Sequence, residues 1–284
     1  YIGDIKKDYA LKNPYRNPGY NLMVVHALAL GLHRENCIID VLPDKNSWES
    51  IGYLVEQPSR SVFKEGDHMI VSRPSSTSKN ILSNLLFEHH WDITTLISFK
   101  GYKDNKEEIK DVASKINNLI KDEGIEPSQI FVITLDTKAS KNTLQSLKEE
   151  LLVNYDISFI MPGFNYDTGQ LFREEWYITL TTLWKAKGNE ANIVFVLNAQ
   201  LAYTYTSYRN RNALFVAITR SRGWCYISGT GLAIQKLADE AGHIISNKMK
   251  FDFIYPDSNI LERNRRKIQQ PNHQNEEEIK RLLH

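Results

Sequence analysis

Cysteine and long apolar runs are both scarce in this chain of 284 residues. Its two cysteines, Cys37 and Cys225, lie far apart in apolar surroundings, which excludes a disulfide framework and a cysteine-rich metal site. No apolar run approaches the length of about 18 residues that marks a transmembrane helix, and no signal peptide is recognisable. We therefore expect a soluble, cytoplasmic protein with reduced thiols and no membrane contact.

An excess of one charge is also lacking. The 35 Lys and Arg residues are balanced by 34 Asp and Glu residues, so the formal net charge is +1. Without a global basic field, any binding of nucleic acid must use a local groove. The adjacent histidines His89 and His90 have no carboxylate or cysteine at ligand spacing, so no metal site is predicted there.

The nucleotide-binding signature of P-loop enzymes is missing as well. The phosphate-cradling loop requires a glycine followed by lysine and then serine or threonine, and no glycine of this chain precedes a lysine. The acidic pairs at 122–123 and 239–240 fall on or at the ends of predicted helices rather than after an apolar strand. The chain is therefore not expected to hold a complete site for ATP and Mg²⁺.

Alternating strand and helix patterns predict an α/β fold with an open parallel sheet and helices on both faces. Residues 36–73 read instead as a small β-rich insertion, with strand-like pieces at 37–42, 48–55 and 67–72. We predict one domain over 1–255 and a C-terminal extension, a linker with a short helix, over 256–284. The predicted strands are 91–99, 129–135, 157–161, 177–183, 193–197 and 224–229, and the predicted helices are 22–32, 78–87, 106–121, 143–152, 209–220 and 231–246.

The stretch from 177 to 229 carries the residues with chemical potential. Lys185 and Lys187 flank a turn whose glycine is Gly188, and Glu190 follows directly. Arg220 ends an apolar helix, at a strand end where ligand crevices of such sheets form, and a guanidinium can bind two phosphate oxygens at once. The alternative is that Arg220 neutralises its own helix end and Glu190 is a solvated turn residue.

Three segments resemble motifs of superfamily 1 helicases of the UvrD/PcrA/Rep type. Residues 182–190 (TLWKAKGNE) are similar to motif V, T-L-H-x-A-K-G-x-E. Residues 215–221 (FVAITRS) are similar to motif VI, Y-V-[GA]-[VL]-T-R-[AS], and residues 11–17 (LKNPYRN) resemble motif IV, L-x-x-N-Y-R-S. The family's motifs I to III have no counterpart, so the resemblance covers only the C-terminal RecA-like domain.

The resemblance implies a RecA-like, P-loop NTPase-type sheet and a site shared with another domain. ATP would bind between this chain and the N-terminal RecA-like domain of the same full-length protein, and that domain would hold the Mg²⁺. Arg16 and Arg220 would be catalytic and reach the γ-phosphate. Glu190 would bind the ribose, with Gly188 and Tyr15 also at the nucleotide.

The resemblance further implies a track for single-stranded or partly duplex DNA, with RNA left open. Thr182, Trp184, Lys185 and Lys187 would face the strand. Trp184 stands where the family has histidine, and an aromatic ring beside cations suits base stacking; the alternative is that Trp184 belongs to the core. In place of a glutamate common before motif VI, the chain has the run 209–212 (RNRN).

Because the chain begins with Tyr1 rather than methionine, we expect it to be a fragment of a longer motor protein. It is predicted to be inactive alone because it lacks the phosphate-binding loop and the Mg²⁺-binding acidic pair of the family. The competing hypothesis is a helicase-like module that binds protein or nucleic acid and has no part in ATP hydrolysis.

Overall fold

The computed structural model describes residues 15–34, 38–164, 171–204 and 208–269. The segment 11–14 of the predicted motif IV and Cys37 lie outside these ranges. In chain order the helices are α1 Gly19–Leu30, α2 Lys45–Ser50, α3 Ile81–Glu88, α4 Asn105–Lys121, α5 Ser140–Tyr155, α6 Leu183–Ala186, α7 Leu201–Thr204, α8 Tyr208–Ile218, α9 Gly231–Ser246 and α10 Ser258–Gln269. The strands are β1 Leu54–Gln57, β2 His68–Ser72, β3 Ile97–Tyr102, β4 Ile130–Thr134, β5 Phe159–Ile160, β6 Ile178–Thr182, β7 Ala191–Leu197, β8 Ser221–Thr230 and β9 Lys250–Ile254.

A six-stranded parallel sheet forms the centre of the fold, in the order β3-β8-β7-β4-β6-β5. All five residues of β4 are buried, as expected for a parallel strand covered on both faces. Side chains alternate along a strand, so Val194 and Val196 of β7 enter one core while Ile193, Phe195 and Leu197 enter the other. The predicted α/β class with an open parallel sheet is confirmed.

Helices cover both faces of the sheet. On one side α1, α8 and α9 pack together, and Leu28, Leu214 and Leu237 are fully buried there. On the other side α4 packs against α5 through residues such as Ile116 and Leu147. Asp104 starts α4 by accepting a hydrogen bond from the Glu107 N–H at 2.9 Å, which satisfies one free donor of the first turn.

A second, antiparallel sheet has the order β1-β2-β9. Within the predicted β-rich insertion, the strand predicted at 67–72 is confirmed as β2, whereas the strand predicted at 48–55 overlaps β1 only at 54–55. The third strand of this sheet, β9, follows α9 in the sequence and was not predicted. The strand predicted at 37–42 was wrong, since the described residues 38–42 have no regular structure. The start of the strand predicted at 48–55 was also wrong, since residues 45–50 form a helix that begins where Asp44 accepts from the Ser47 N–H. Trp48 of that helix is fully buried beside Phe251 and Phe253 of β9.

Other differences concern element ends. Residues 93–96 form a 3-10 turn before β3, because Asp92 accepts from the Thr94 N–H at 2.9 Å. Helix α10 buries Leu261 in the core beside α8, while the predicted division at residue 255 stays a prediction. Within the described ranges, none of the helices combines the length and the apolar character needed to cross a membrane.

Candidate functional site

The candidate site lies where strands β7 and β8 begin. The two strands start side by side, with Ala191 paired to Ser221. The residues just before them, Glu190 and Arg220, therefore become neighbours, and the Ala191 N–H donates to the Arg220 carbonyl at 3.1 Å. This amino edge of the sheet thus brings together two of the predicted nucleotide residues.

Two buried amides bring Arg16 to the same place. Asn17 Nδ2 donates to the carbonyls of Thr219 at 3.0 Å and Ser221 at 2.6 Å, which lie on either side of Arg220. Asn80 Nδ2, at the start of α3, donates to the Arg16 carbonyl at 2.6 Å. Arg16 is held against the α8–β8 junction although some 200 residues separate the two in sequence.

The same Asn80 amide also donates to the Arg222 carbonyl at 3.0 Å, which fixes a third arginine beside the other two. Sequence analysis did not predict Arg222, Asn17 or Asn80 as site residues. For Arg222 a signal existed in its position two residues after Arg220. The amides gave no such signal, since their partners are backbone carbonyls far along the chain.

Glu190 lies between two guanidinium groups. Its Oε2 is 3.6 Å from Arg16 Nη1, and its Oε1 is 3.7 Å from Arg222 Nε. The three side chains are 38% (Arg16), 39% (Glu190) and 53% (Arg222) exposed, so each pair contributes little to stability, about 1 kcal/mol at most. With Arg220 nearby, the cluster combines three positive charges with one negative charge.

Arg220 is partly buried and serves its own helix as well as the cluster. Its Nε donates to the Val216 carbonyl at 3.1 Å, one turn back in α8, which is the helix-end contact considered above as the alternative role. Its two terminal nitrogens make longer contacts, to the Asn189 carbonyl at 3.5 Å and to Thr219 Oγ1 at 3.4 Å. Burial and the like charge of Arg16 lower the pKa of Arg220, while Glu190 raises it. An arginine nevertheless remains charged.

The turn before Glu190 depends on Gly188. Its φ is +91°, and a Cβ placed there would meet nothing within 4 Å. The glycine is therefore required by the backbone conformation rather than by space. Tyr15, the other residue predicted at the nucleotide, is 69% exposed and precedes Arg16 directly.

The predicted nucleic-acid residues surround the short helix α6. Thr182 ends β6, Leu183 and Ala186 are buried, and Trp184 is 62% exposed. Lys185 and Lys187 are exposed as well. The structure therefore places Trp184 on the surface and not in the core.

Thr182 and the arginine cluster lie at opposite edges of the sheet, and residues 183–190 cross from one edge to the other. Thr182 pairs with Thr134, which pairs with Leu197 at the carboxyl end of β7, whereas Glu190 precedes the first residue of β7. The six-residue interval from Ala191 to Leu197 corresponds to about 20 Å at the usual rise of a strand. Arg220, which lies between a helix and the following strand, is therefore at the amino edge of the sheet, whereas Thr182 is at the carboxyl edge.

Of the run 209–212, Arg211 belongs to the core rather than to the site, while Arg209 and Asn212 are exposed. Arg211 is 1% exposed, and its two terminal nitrogens donate to the two oxygens of Glu240 at 2.6 and 2.7 Å. Arg211 also donates to the Leu28 carbonyl at 2.9 Å. As for metals, the part of the chain that the structure describes contains no group of three or more His, Cys, Asp or Glu residues able to hold an ion.

Comparison with known families supports the motif resemblance over one segment. Residues 177–228, which run from the start of β6 into β8 and include Glu190, Arg220 and Arg222, match the UvrD-like helicase C-terminal domain. No curated protein matches the sequence. Among solved structures, the C-terminal domain of a possible DNA helicase from Lactobacillus plantarum WCFS1 is similar with 13% identity and a TM-score of 0.37, over 52% of this chain and 83% of that one. The resemblance predicted from motifs V and VI is confirmed for this segment.

Proposed function

We propose that this chain is the C-terminal motor domain of an ATP-dependent superfamily 1 helicase. ATP would bind at the amino edge of the sheet, between this domain and an N-terminal RecA-like domain of the same protein. The observation that carries the proposal is the convergence of Arg16, Glu190 and Arg220 from three separate segments of the chain. The family match over residues 177–228 supports it independently.

The arginines would act on the γ-phosphate. Transfer of a phosphoryl group spreads negative charge over its oxygens, and fixed guanidinium groups stabilise that charge. Arg220 suits this task because its Nε binds the helix carbonyl at 3.1 Å while its two terminal nitrogens make only long contacts. The helix contact orients the side chain and leaves its two-pronged end for two phosphate oxygens.

The remaining nucleotide residues would position the sugar and base. Glu190 would accept hydrogen bonds from the ribose hydroxyls, and the Gly188 turn lets the backbone approach the ligand. Tyr15 projects from the same turn as Arg16, so its exposed ring would lie near the nucleotide.

The opposite edge would carry the nucleic acid. Trp184 would stack on a base of single-stranded or partly duplex DNA, or of RNA, and Lys185 and Lys187 would contact phosphates. Helix α6 packs against α8, the helix that ends next to Arg220. Closing and opening of the ATP cleft would therefore move the residues that contact the single-stranded nucleic acid.

Magnesium is proposed to be held elsewhere. The described residues contain no group of three or more His, Cys, Asp or Glu residues able to hold an ion. The N-terminal RecA-like domain would supply the Mg²⁺ ligands together with the phosphate-binding loop.

The proposal is tested with two proteins, the 284-residue chain alone and the same chain joined to its N-terminal RecA-like domain. The chain alone should show no steady-state ATP turnover, with or without single-stranded DNA, because it provides half of the site. The joined protein should hydrolyse ATP and be stimulated by single-stranded DNA. Turnover by the chain alone would refute the half-site, and a joined protein that binds DNA without turnover would favour a binding module.

A further inference from the structure

The side chain of Glu190 separates two arginines that a phosphate would need. One carboxylate oxygen faces Arg16 at 3.6 Å and the other faces Arg222 at 3.7 Å. In this arrangement both guanidinium groups are partly neutralised by Glu190 rather than fully available to an incoming anion.

The ion pairs of Glu190 with Arg16 and Arg222 have the geometry of weak pairs that can exchange partners. Charge-assisted hydrogen bonds between nitrogen and oxygen are usually about 2.7–2.9 Å long, and both distances here are longer. The side chains are also between about a third and a half exposed, where water and salt weaken ion pairs. In contrast, the backbones of Arg16 and Arg222 are anchored by the single amide of Asn80, at 2.6 and 3.0 Å. The fold therefore fixes the backbone positions of the two arginines but leaves their guanidinium groups able to bind a different anion.

We propose that Arg222 is a third phosphate-binding arginine and that Glu190 is its exchangeable counter-ion. This rests on the proposed function and names a further residue of the same site. The phosphates of a nucleoside triphosphate draw Arg16 and Arg222 away from Glu190, and the released carboxylate accepts hydrogen bonds from the ribose hydroxyls. A nucleotide offers new partners to the arginines and to the carboxylate, whereas a bare polyphosphate offers partners to the arginines alone.

The placement of Arg222 fits this role. Its side chain is 53% exposed, and its Nε lies 3.7 Å from the carboxylate of Glu190, which also faces Arg16. The intervening Ser221 is buried, with its hydroxyl donating to the Trp224 carbonyl at 2.8 Å. Arg222 is therefore held at the site by its backbone while its guanidinium remains free to change partner.

The test is a double-mutant cycle on the whole 284-residue chain, with inorganic tripolyphosphate as the probe and calorimetry at fixed low salt. The variants are Glu190→Gln, Arg222→Gln and the double variant. We expect Glu190→Gln to tighten binding about two- to fivefold, the range of an exposed ion pair. Arg222→Gln should weaken binding in both backgrounds. It should weaken it by a larger factor in the Glu190→Gln background, because there Arg222 has no competing partner.

Glu149→Gln is the control for net charge, since Glu149 is exposed on α5 and bonded to Gln145; it should leave binding unchanged. Equal fold-losses from Arg222→Gln in both backgrounds would overturn the exchange, as would no effect of Arg222→Gln or no binding of tripolyphosphate at all. Arg220→Ala distinguishes failure of the proposed ion-pair exchange from failure of the proposed phosphate site. If it weakens binding while the cycle is additive, only the exchange fails; if it also has no effect, the phosphate site at the amino edge fails as a whole.

Discussion

Replacement of Arg211 by methionine should strongly destabilise the fold while sparing the site. Arg211 is 1% exposed, makes two hydrogen bonds of 2.6 and 2.7 Å to Glu240, and donates to the Leu28 carbonyl at 2.9 Å. Its loss leaves a buried carboxylate and a buried carbonyl without their partner. Removing one member of a buried ion pair costs roughly 3–5 kcal/mol.

That loss corresponds to a fall in Tm of about 6–10 °C, because a protein of this size loses about 2 °C per kcal/mol. Urea unfolding and calorimetry of the whole chain measure both quantities. The double variant Arg211→Met, Glu240→Leu should lose much less than Arg211→Met alone, since two apolar residues leave no buried charge unpaired. Arg209→Met, on the exposed side of the same helix, should change stability by less than about 0.5 kcal/mol. Additive losses in the double variant, or a cost of Arg211→Met below about 1 kcal/mol, would refute the reasoning.

Two further predictions concern the strand-binding edge and the pH dependence of stability. In the joined protein, Trp184→Ala should weaken single-stranded DNA binding by about tenfold, because one stacked base is worth roughly 1–3 kcal/mol. The Tm should change little because Trp184 is 62% exposed. Trp176→Ala, at another exposed tryptophan, is the matched control, and a large fall in Tm of Trp184→Ala with unchanged affinity at fixed salt would contradict the assignment. Burial raises the pKa of Glu108, although hydrogen bonds from Ser228 and the Asn198 N–H oppose the shift. The contribution of Glu108 to stability is therefore present below its unfolded-state pKa and declines as pH rises through the raised folded-state pKa. The stability of wild type relative to Glu108→Gln should therefore decrease from about pH 4 upwards, and a difference that grows with pH would show the opposite shift.

The sequence allowed the parallel sheet to be predicted because its signals are local. The β4 segment begins with four consecutive apolar residues, and α4 carries its apolar residues on one face with an aspartate cap. The missed strand β9 had a local signal too, since Phe251 and Phe253 are buried and alternate with exposed residues. Its partner, β2, lies some 180 residues earlier and no hairpin links the two, so the neighbouring sequence does not indicate what β9 pairs with.

The site was predictable in its residue types but not in its geometry. Motif spacing singled out Arg16, Glu190 and Arg220, and the fold brings them together. The edge of the sheet could not be read from the motifs, because it depends on residues 183–190 crossing from the end of β6 to the start of β7. The anchoring by Asn17 and Asn80 was hidden for a similar reason: it uses backbone carbonyls that only the folded chain brings near.

The most direct test of the proposed function is the kcat of the joined protein carrying Arg220→Ala. A loss of one arginine that stabilises the transferred phosphoryl group should lower kcat by about 10³-fold or more, with a much smaller change in the KM for ATP because the interaction develops in the transition state. Arg220→Lys should not restore the rate, since a lysine lacks the two-pronged geometry, and Arg209→Ala on the same helix should behave as wild type. A near-normal kcat for Arg220→Ala would contradict the account and would leave Arg220 with only its contact to the Val216 carbonyl at the end of α8.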